Sequence, residues 1–315
     1  MRTRVTPAAG AAVMATGIVS VGLHLAGADR LSAALLLVAI VLWALLGAVF
    51  LARLAGDRPE WTREAVTPPA LTGVAATGVL GTRIALGGGH ALAGAALAVA
   101  AALWAALIVG VVRGLRGRLP GAAELVTVST QALAVLGGTL AAVAGARWLL
   151  WPASVLLAVG LVLYVRVLVR FDYGQLRTGR GDHWVIGGAV AISALAASKL
   201  AAATAPAGAV RWETGADGLA RGVTAVLLAV ALGWYAVLVV CEIRWPRLSY
   251  DVRRWSTVFP LGMTAAATIS AGTVLKAGRL TSLGEVLLWP AVAVWAVVAV
   301  GALRHLPALL KPGAP

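Results

Sequence analysis

Ten long apolar runs constrain this chain more than any other feature of its sequence. Each run is roughly 18 to 22 residues long, the length at which an α-helix crosses the hydrocarbon core of a membrane. Of the 315 residues, 61% are hydrophobic and 12% are charged, whereas an ordinary soluble domain carries about 25% charged residues. The sequence therefore predicts an all-α integral membrane protein that forms a single domain over residues 1–315. The predicted spans are 8–26, 32–52, 67–86, 91–112, 122–144, 148–169, 183–204, 219–242, 256–276 and 283–303.

Short connections alternate with long, arginine-rich ones along the chain. The first two spans are separated by Gly27–Arg30 and the next two by Gly87–His90, which predicts five tandem helical hairpins. Because Lys and Arg concentrate in cytoplasmic loops, the long connections predict that both termini are cytoplasmic and that the protein is a multi-pass protein of the cell inner membrane. This bias also explains the net charge of +14, so we expect no nucleic-acid partner.

Hydroxyl residues are concentrated in the odd-numbered spans, whereas the even-numbered spans consist mainly of Leu, Val, Ala and Trp. The simplest arrangement places the odd helices in an inner ring around a central pore and the even helices outside, against lipid. Small and hydroxyl residues also let membrane helices pack closely, and that alternative stays open. Four tryptophans deep in even spans are expected to face lipid or to fill space. They are Trp43, Trp104, Trp234 and Trp295.

Ionisable side chains inside a membrane are costly and are usually functional. The middles of the ten spans contain no Asp or Glu, which disfavours proton relays and cation sites. Neutral hydroxyl walls within a basic protein favour anions. Lys199 is the one cation well inside a span. Its side chain either extends to the outer interface or attracts an anion in the outer half of the pore.

The sequence offers no pattern for catalysis or metal binding. The lone Cys241 excludes an intramolecular disulfide, and the four histidines are not spaced with each other or with carboxylates as a metal site requires. Hydrolase, nucleotide and dinucleotide motifs are missing as well. We therefore expect no enzyme activity, no metal and no cofactor.

Phe259-Pro260 is the most unusual pair within an apolar span. Pro260 cannot donate a hydrogen bond to the carbonyl of Ser256, so the sequence predicts a kink there. A break of this kind is tolerated at membrane depth where other groups satisfy the backbone or where a cavity adjoins. The kink directs Phe259 differently from its neighbours, although a packed core phenylalanine beside a structural kink stays an alternative.

Three motifs carry a resemblance to a known family. Trp255–Gly262 reads WSTVFPLG and resembles the W-S/A-x-x-F-P-L/M-G signature of the tellurite-resistance/dicarboxylate transporter family. That family includes the yeast malate permease, sulfite efflux pumps and the slow-type anion channels of plant guard cells. Met14–Ile18 is similar to the family's M-G-T-G-I but has Ala15 at the second position. His183–Ser193 resembles a third stretch, W-x-x-x-G-A-x-A-I-S/T, and the resemblance covers all ten spans in order.

The resemblance implies a fold of five tandem hairpins whose odd helices surround a central pore, usually as a homotrimer. It also implies that the phenylalanine of the F-P motif plugs the pore throat. That role falls on Phe259, with Pro260 and Gly262 shaping its helix. The remaining small and hydroxyl residues of the odd spans become candidates to line the pore. They are Thr16, Gly17, Ser20, Thr77, Thr130, Ser193, Thr264 and Thr268.

The function expected from these observations is channel-like transport of small inorganic or organic anions through a central pore gated by Phe259. The expected partners are these anions and membrane lipid. The alternative is a proton-coupled transporter of C4-dicarboxylates, tellurite or sulfite. A third alternative, from a different class, is a membrane-embedded enzyme or a structural protein without a pore.

Overall fold

Twelve α-helices follow one another in the computed structural model, which describes residues 6–204, 214–247 and 249–310. No strand occurs in these three ranges. The helices are α1 (Gly10–Leu25), α2 (Asp29–Gly56), α3 (Arg58–Ala65), α4 (Thr72–Leu86), α5 (His90–Gly114), α6 (Leu125–Val143), α7 (Leu150–Leu168), α8 (Gln175–Thr178), α9 (Val185–Thr204), α10 (Thr214–Arg244), α11 (Trp255–Val274) and α12 (Gly278–Leu310).

Ten of these helices are long and apolar enough to cross a membrane, which confirms the predicted all-helical fold with ten spans. Helical backbone suits this environment because each N–H and C=O group is satisfied within the segment, where no water can replace the bond. The sequence did not predict the short helices α3 and α8, which lie in the long connections. Residues 1–5 and 311–315 lie outside the described ranges, so the cytoplasmic placement of the two termini stays a prediction.

Burial alternates strictly from one span to the next. In the most apolar stretch of the first, third, fifth, seventh and ninth spans, 72% to 94% of the residues are buried, against 11% to 28% in the other five. We call α1, α4, α6, α9 and α11 the inner helices, and α2, α5, α7, α10 and α12 the outer helices. The outer helices expose large aliphatic side chains such as Leu37, Val162 and Val297, as a surface against lipid tails requires.

The inner helices form a closed ring. Each packs against the next in chain order, from α1 to α4, α6, α9 and α11, and α11 packs back against α1. Each outer helix contacts the inner helix before it and also the following one, including α12 with α1. The outer helices therefore cover the seams between neighbouring inner helices.

Each inner helix begins with a 3-10 turn. The five turns are Pro7–Ala9, Pro68–Leu71, Gly121–Glu124, Asp182–Trp184 and Val252–Arg254. They contact one another in a chain around the bundle, so all five inner helices begin at the same end. The long connections also lie at this end, which we call the arginine-rich end. Its arginines include Arg53, Arg58, Arg63, Arg113, Arg116, Arg118, Arg170, Arg177, Arg180, Arg244, Arg247, Arg253 and Arg254.

Candidate functional site: the axis of the helix ring

A small cavity lies where the five inner helices meet. Its volume is about 10 Å³, which is room for about one water molecule. Every inner helix contributes to its wall, so the cavity marks the axis of the ring. The wall consists of Ile18, Val21, Gly78, Val79, Thr82, Ala132, Val135, Ile192, Leu195 and Met263. The axis at this level is thus narrow and almost entirely apolar, and Thr82 supplies the one hydroxyl group of that wall.

Phe259 lies on the same face of α11 as Met263, because residues four apart are neighbours on a helix. The separation along α11 is about 6 Å at 1.5 Å per residue, towards the arginine-rich end. Phe259 is 2% exposed, and its ring packs against Gly188 of α9. A Cβ atom at Gly188 would lie 3.2 Å from Cε1 of Phe259. Gly188 itself is four residues before Ile192 of the cavity wall, so Phe259 and Gly188 meet beside the axis.

Pro260 and Gly262 lie on either side of this contact. Helix α11 continues through Pro260 without interruption from Trp255 to Val274, and the ring of Pro260 also packs against Gly188. Gly262 faces α1, where an added Cβ atom would be 3.1 Å from Cγ2 of Ile18. Both residues therefore fit α11 closely between its two neighbours in the ring.

Lys199 lies on the other side of the cavity from Phe259. It follows Leu195 of the cavity wall by four residues, about 6 Å further along α9, and shares its helix face. Its side chain is 7% exposed and lies beside Gly138 of α6, where an added Cβ atom would be 3.1 Å from Cβ of Lys199. Lys199 forms no ion pair and no hydrogen bond with any side chain or carbonyl in the described ranges. Lys199 thus lies beyond the cavity, in the half of the ring away from the arginine-rich end.

Three of the predicted pore-lining residues direct their hydroxyl groups away from the cavity. Oγ1 of Thr16 accepts a hydrogen bond from Nε1 of Trp295 at 3.0 Å. Oγ1 of Thr77 accepts one from Trp43 at 2.9 Å, and Oγ1 of Thr130 one from Trp104 at 2.9 Å. In all three pairs the indole belongs to the outer helix that covers the seam beside that inner helix. Trp43, Trp104 and Trp295 therefore join outer helices to inner helices by hydrogen bonds. Sequence reasoning missed this role.

The same three hydroxyl groups also donate to carbonyl oxygens four residues earlier in their own helices, at 2.7 to 2.8 Å. Each hydroxyl thus bridges its own backbone and an indole of the outer layer. These contacts favour a role in helix packing. That Thr16, Thr77 and Thr130 line a conduit stays a prediction.

The other predicted lining residues are also buried among helices. Ser20 exchanges hydrogen bonds with Ser32 of α2 at 2.7 Å, and Ser193 and Thr268 donate to carbonyls in their own helices. Gly17 lies against Val79 of α4, and Thr264 is 2% exposed. Among the described residues that form the cavity wall, none is one of the eight candidates. The wall residues carry a signal that could have found them, since Ile18 and Val21, or Ile192 and Leu195, recur at helical spacing.

Comparison with known protein families adds an independent finding. Residues 4–303 match the family model described as voltage-dependent anion channel. The chain belongs to this family. It is the family of slow anion channels and tellurite-resistance/dicarboxylate transporters that the three motifs predicted, and that prediction is confirmed. No curated protein matches the chain at a significant level.

Membership in the voltage-dependent anion channel family supports transport of anions across a membrane. With the ten apolar helices it also confirms a multi-pass membrane protein. Family members are channels or transporters. Within the described ranges, no three His, Cys, Asp or Glu side chains come together as a metal site would need.

Proposed function

We propose that this member of the family conducts small anions along the axis of the inner ring and that Phe259 gates this path. The observation that carries the proposal is the cavity to which all five inner helices contribute, with Phe259 one helical turn away on the same face as Met263. A narrow apolar constriction excludes ions because water leaves it and the ion would have to lose its hydration shell. Tight packing of Phe259 against Gly188 corresponds to a closed state.

Charge at both ends of the path supports anions as the conducted species. The arginine-rich end raises the local concentration of anions near the ring, and Lys199 adds a positive charge beside the axis on the other side of the cavity. An anion that passed Phe259 would then meet an attractive group about one turn beyond the cavity wall. The arginine-rich end is proposed to face the cytoplasm, since Arg and Lys concentrate on the cytoplasmic side of membrane proteins. Assembly as a homotrimer also stays part of the proposal, on the basis of the family resemblance alone.

The decisive experiment measures anion flux through purified protein in liposomes. Replacing Phe259 with Ala removes the ring that fills the space beside Gly188, and we expect flux to rise about tenfold or more because the apolar constriction widens. Phe50→Ala is the matched control, since Phe50 belongs to the outer helix α2. Equal flux in the wild type, Phe259→Ala and Phe50→Ala would disprove the gate. Chloride, nitrate, sulfite and malate should be compared in the same assay, because an apolar wall does not indicate which anion is transported.

One observation favours the proton-coupled alternative. Glu124 is the last residue of the turn before the inner helix α6 and is fully buried. Its Oε2 accepts a hydrogen bond from Thr127 at 2.7 Å, whereas its Oε1 has no partner among the described residues. Gln131, two turns along on the same face of α6, donates to the carbonyl of Leu157 on α7. Glu124 therefore faces α7 rather than the axis. A buried carboxyl group in a transport protein is a candidate proton-binding site.

The two mechanisms differ in their response to a pH gradient. A channel requires only the anion gradient and the membrane voltage, so a protonophore leaves its flux unchanged when the voltage is clamped. A proton-coupled transporter follows an imposed pH gradient and loses this drive in Glu124→Gln. If flux is independent of the pH gradient in both the wild type and Glu124→Gln, the channel mechanism is supported.

A further inference from the structure

Four buried polar atoms without partners lie at the arginine-rich end of α9 and α11. Among the described residues, Nδ1 and Nε2 of His183, Nη1 of Arg254 and Oγ1 of Thr257 form no hydrogen bond. His183 is completely buried, and Thr257 is 3% exposed. Buried polar groups are nearly always hydrogen-bonded in folded proteins, so four such atoms in one region indicate an occupant.

A tight turn brings these groups together. Gly181 has a φ angle of +128°, a conformation that side chains disfavour, and it lies directly before the 3-10 turn that contains His183. A Cβ atom at Gly181 would be 3.1 Å from Oγ1 of Thr257. The turn before α9 is therefore pressed against the first turn of α11. Trp184, the residue after His183, and Arg254 both donate hydrogen bonds to Glu242, so the turn before α9 and the Arg254 side chain meet at this carboxylate.

The surrounding hydrogen bonds leave donors in excess. Glu242 accepts from Nη2 of Arg254 at 2.8 Å, from Nη1 of Arg247 at 3.1 Å and from Nε1 of Trp184 at 3.2 Å. Both oxygens of Glu242 are thus occupied, while Nη1 of Arg254 still has a proton to donate. Thr257 and His183 can each donate one as well. Three of the four atoms can therefore donate, and the partner that these three lack is an acceptor.

The charges of the neighbouring residues favour an anion as that acceptor. Arg247 and Arg254 both bind the single carboxylate of Glu242, which leaves one of these two positive charges without a carboxylate of its own. Arg253 is bound to Asp251, and its hydrogen bonds hold the pKa of Asp251 below the ordinary value. Nη1 of Arg254 has no partner among the described residues, so Arg254 can donate a hydrogen bond to an anion.

We propose that His183, Arg254 and Thr257 bind a small inorganic monovalent anion, such as chloride, between the turn before α9 and the start of α11. This site is separate from the ring axis. Thr257 precedes Phe259 by two residues and so lies on the opposite side of α11, at about 100° per residue. A bound anion joins the same two helices whose contact at Gly188 and Phe259 closes the axis. Its occupancy accordingly stabilises the closed arrangement; this effect on flux rests on the proposed gate, whereas the binding does not.

The test measures the melting temperature of purified protein while chloride replaces gluconate at constant ionic strength. We expect a saturable rise in the wild type and at least a tenfold weaker chloride dependence in Thr257→Val and in His183→Gln. Thr273→Val makes the same change at the other end of α11, where Thr273 is exposed and bonded to its own helix, and should keep the wild-type dependence. Bromide should give an anomalous diffraction peak within hydrogen-bonding distance of Arg254 and Thr257.

Two outcomes overturn the site. A chloride dependence that is the same in the wild type, Thr257→Val and His183→Gln places the anion elsewhere, and a wild type without saturable dependence means that only water fills the space. The result is independent of the gate. If Phe259→Ala leaves flux unchanged but Thr257→Val still weakens chloride binding, the anion site stands and the proposed gate fails. If the opposite holds, the gate stands alone.

Discussion

The inner helices have two faces of different chemistry, and the comparison between them bears on which side chains line the axis. The face towards the axis carries Ile18, Val135, Ile192, Leu195 and Met263. On the face towards the outer helices, the hydroxyl groups of Thr16, Thr77 and Thr130 accept hydrogen bonds from indoles and donate to their own backbone. A hydroxyl-rich membrane helix therefore need not present its hydroxyls to a conduit, because packing of two helix layers uses them as well.

Contacts between the two helix layers also differ in kind from contacts around the axis. Between layers, hydrogen bonds such as Trp43 to Thr77 set the register of outer on inner helices. Between inner helices, Gly188 leaves room for Phe259, and a hydrogen bond from Ser198 to Ser270 also joins α9 to α11. Substitutions on the two faces should accordingly have different consequences, and three comparisons test this.

The largest effect is expected from Gly188→Ala. The added Cβ atom would lie 2.8 Å from Cγ of Pro260 and 3.2 Å from Cε1 of Phe259, and such overpacking costs about 1–3 kcal/mol. If this strain falls on the closed state, flux in liposomes should rise about tenfold, since about 1.4 kcal/mol changes an equilibrium constant by that factor.

Gly187→Ala is the matched control for this prediction. Its Cβ atom would lie 2.8 Å from Cδ1 of Leu238 on the outer helix α10, so a comparable strain falls on the other face of α9. We expect lower thermal stability without increased flux. Increased flux in Gly187→Ala, or unchanged flux in Gly188→Ala, would show that the two faces of α9 do not differ in their effect on flux.

An intermediate effect is expected from Lys199→Gln. Removal of the positive charge beside the axis should lower anion flux about two- to fivefold, and the loss should shrink at high salt, which screens charge. Lys276→Gln removes the same charge from an exposed position at the same end of the bundle and should change flux less. Equal losses in the two variants would indicate a surface effect and no role for Lys199 on the path.

The smallest effect on flux is expected from Trp43→Phe, which removes only the indole N–H that reaches Thr77. Stability should fall by about 1 kcal/mol, the usual net contribution of one hydrogen bond, and flux should stay at the wild-type value. Thr77→Val should cost somewhat more, because it leaves the indole N–H of Trp43 without an acceptor inside the membrane, where no water replaces it. Denaturation in detergent together with liposome flux measures both quantities. A large change in flux in Trp43→Phe would show that the outer layer takes part in gating.

The number and order of the membrane spans could be predicted from the sequence. Span length and arginine distribution are properties of single segments, and they predicted ten spans in order. The FPLG motif likewise identified the family, whereas the role of Phe259 stays a prediction. The orientation of each helix about its own axis depends on contacts with several others. A count of hydroxyl residues per span therefore found the inner helices but did not separate Thr16 from Ile18, two residues and about 200° apart.

The sequence also carries no signal for the proposed anion-binding cluster. His183, Arg254 and Thr257 are far apart in the chain, and each is unremarkable alone. They come together because Gly181 turns the chain against α11, and a positive φ angle at one glycine is not readable from a single sequence. Short helices such as α3 were missed because they are charged and lie outside the apolar runs.

The contact between α12 and α1 has a consequence for the order of assembly. Trp43 and Trp104 each meet a threonine in the next hairpin, so these bonds can form as soon as two consecutive hairpins are in the membrane. Trp295 meets Thr16, 279 residues earlier in the chain. One seam beside α1 therefore stays uncovered until α12 has been synthesised. The cavity takes shape only when the fifth hairpin supplies Met263 and α12 covers α1, so a nascent chain holds no closed axis at any earlier stage.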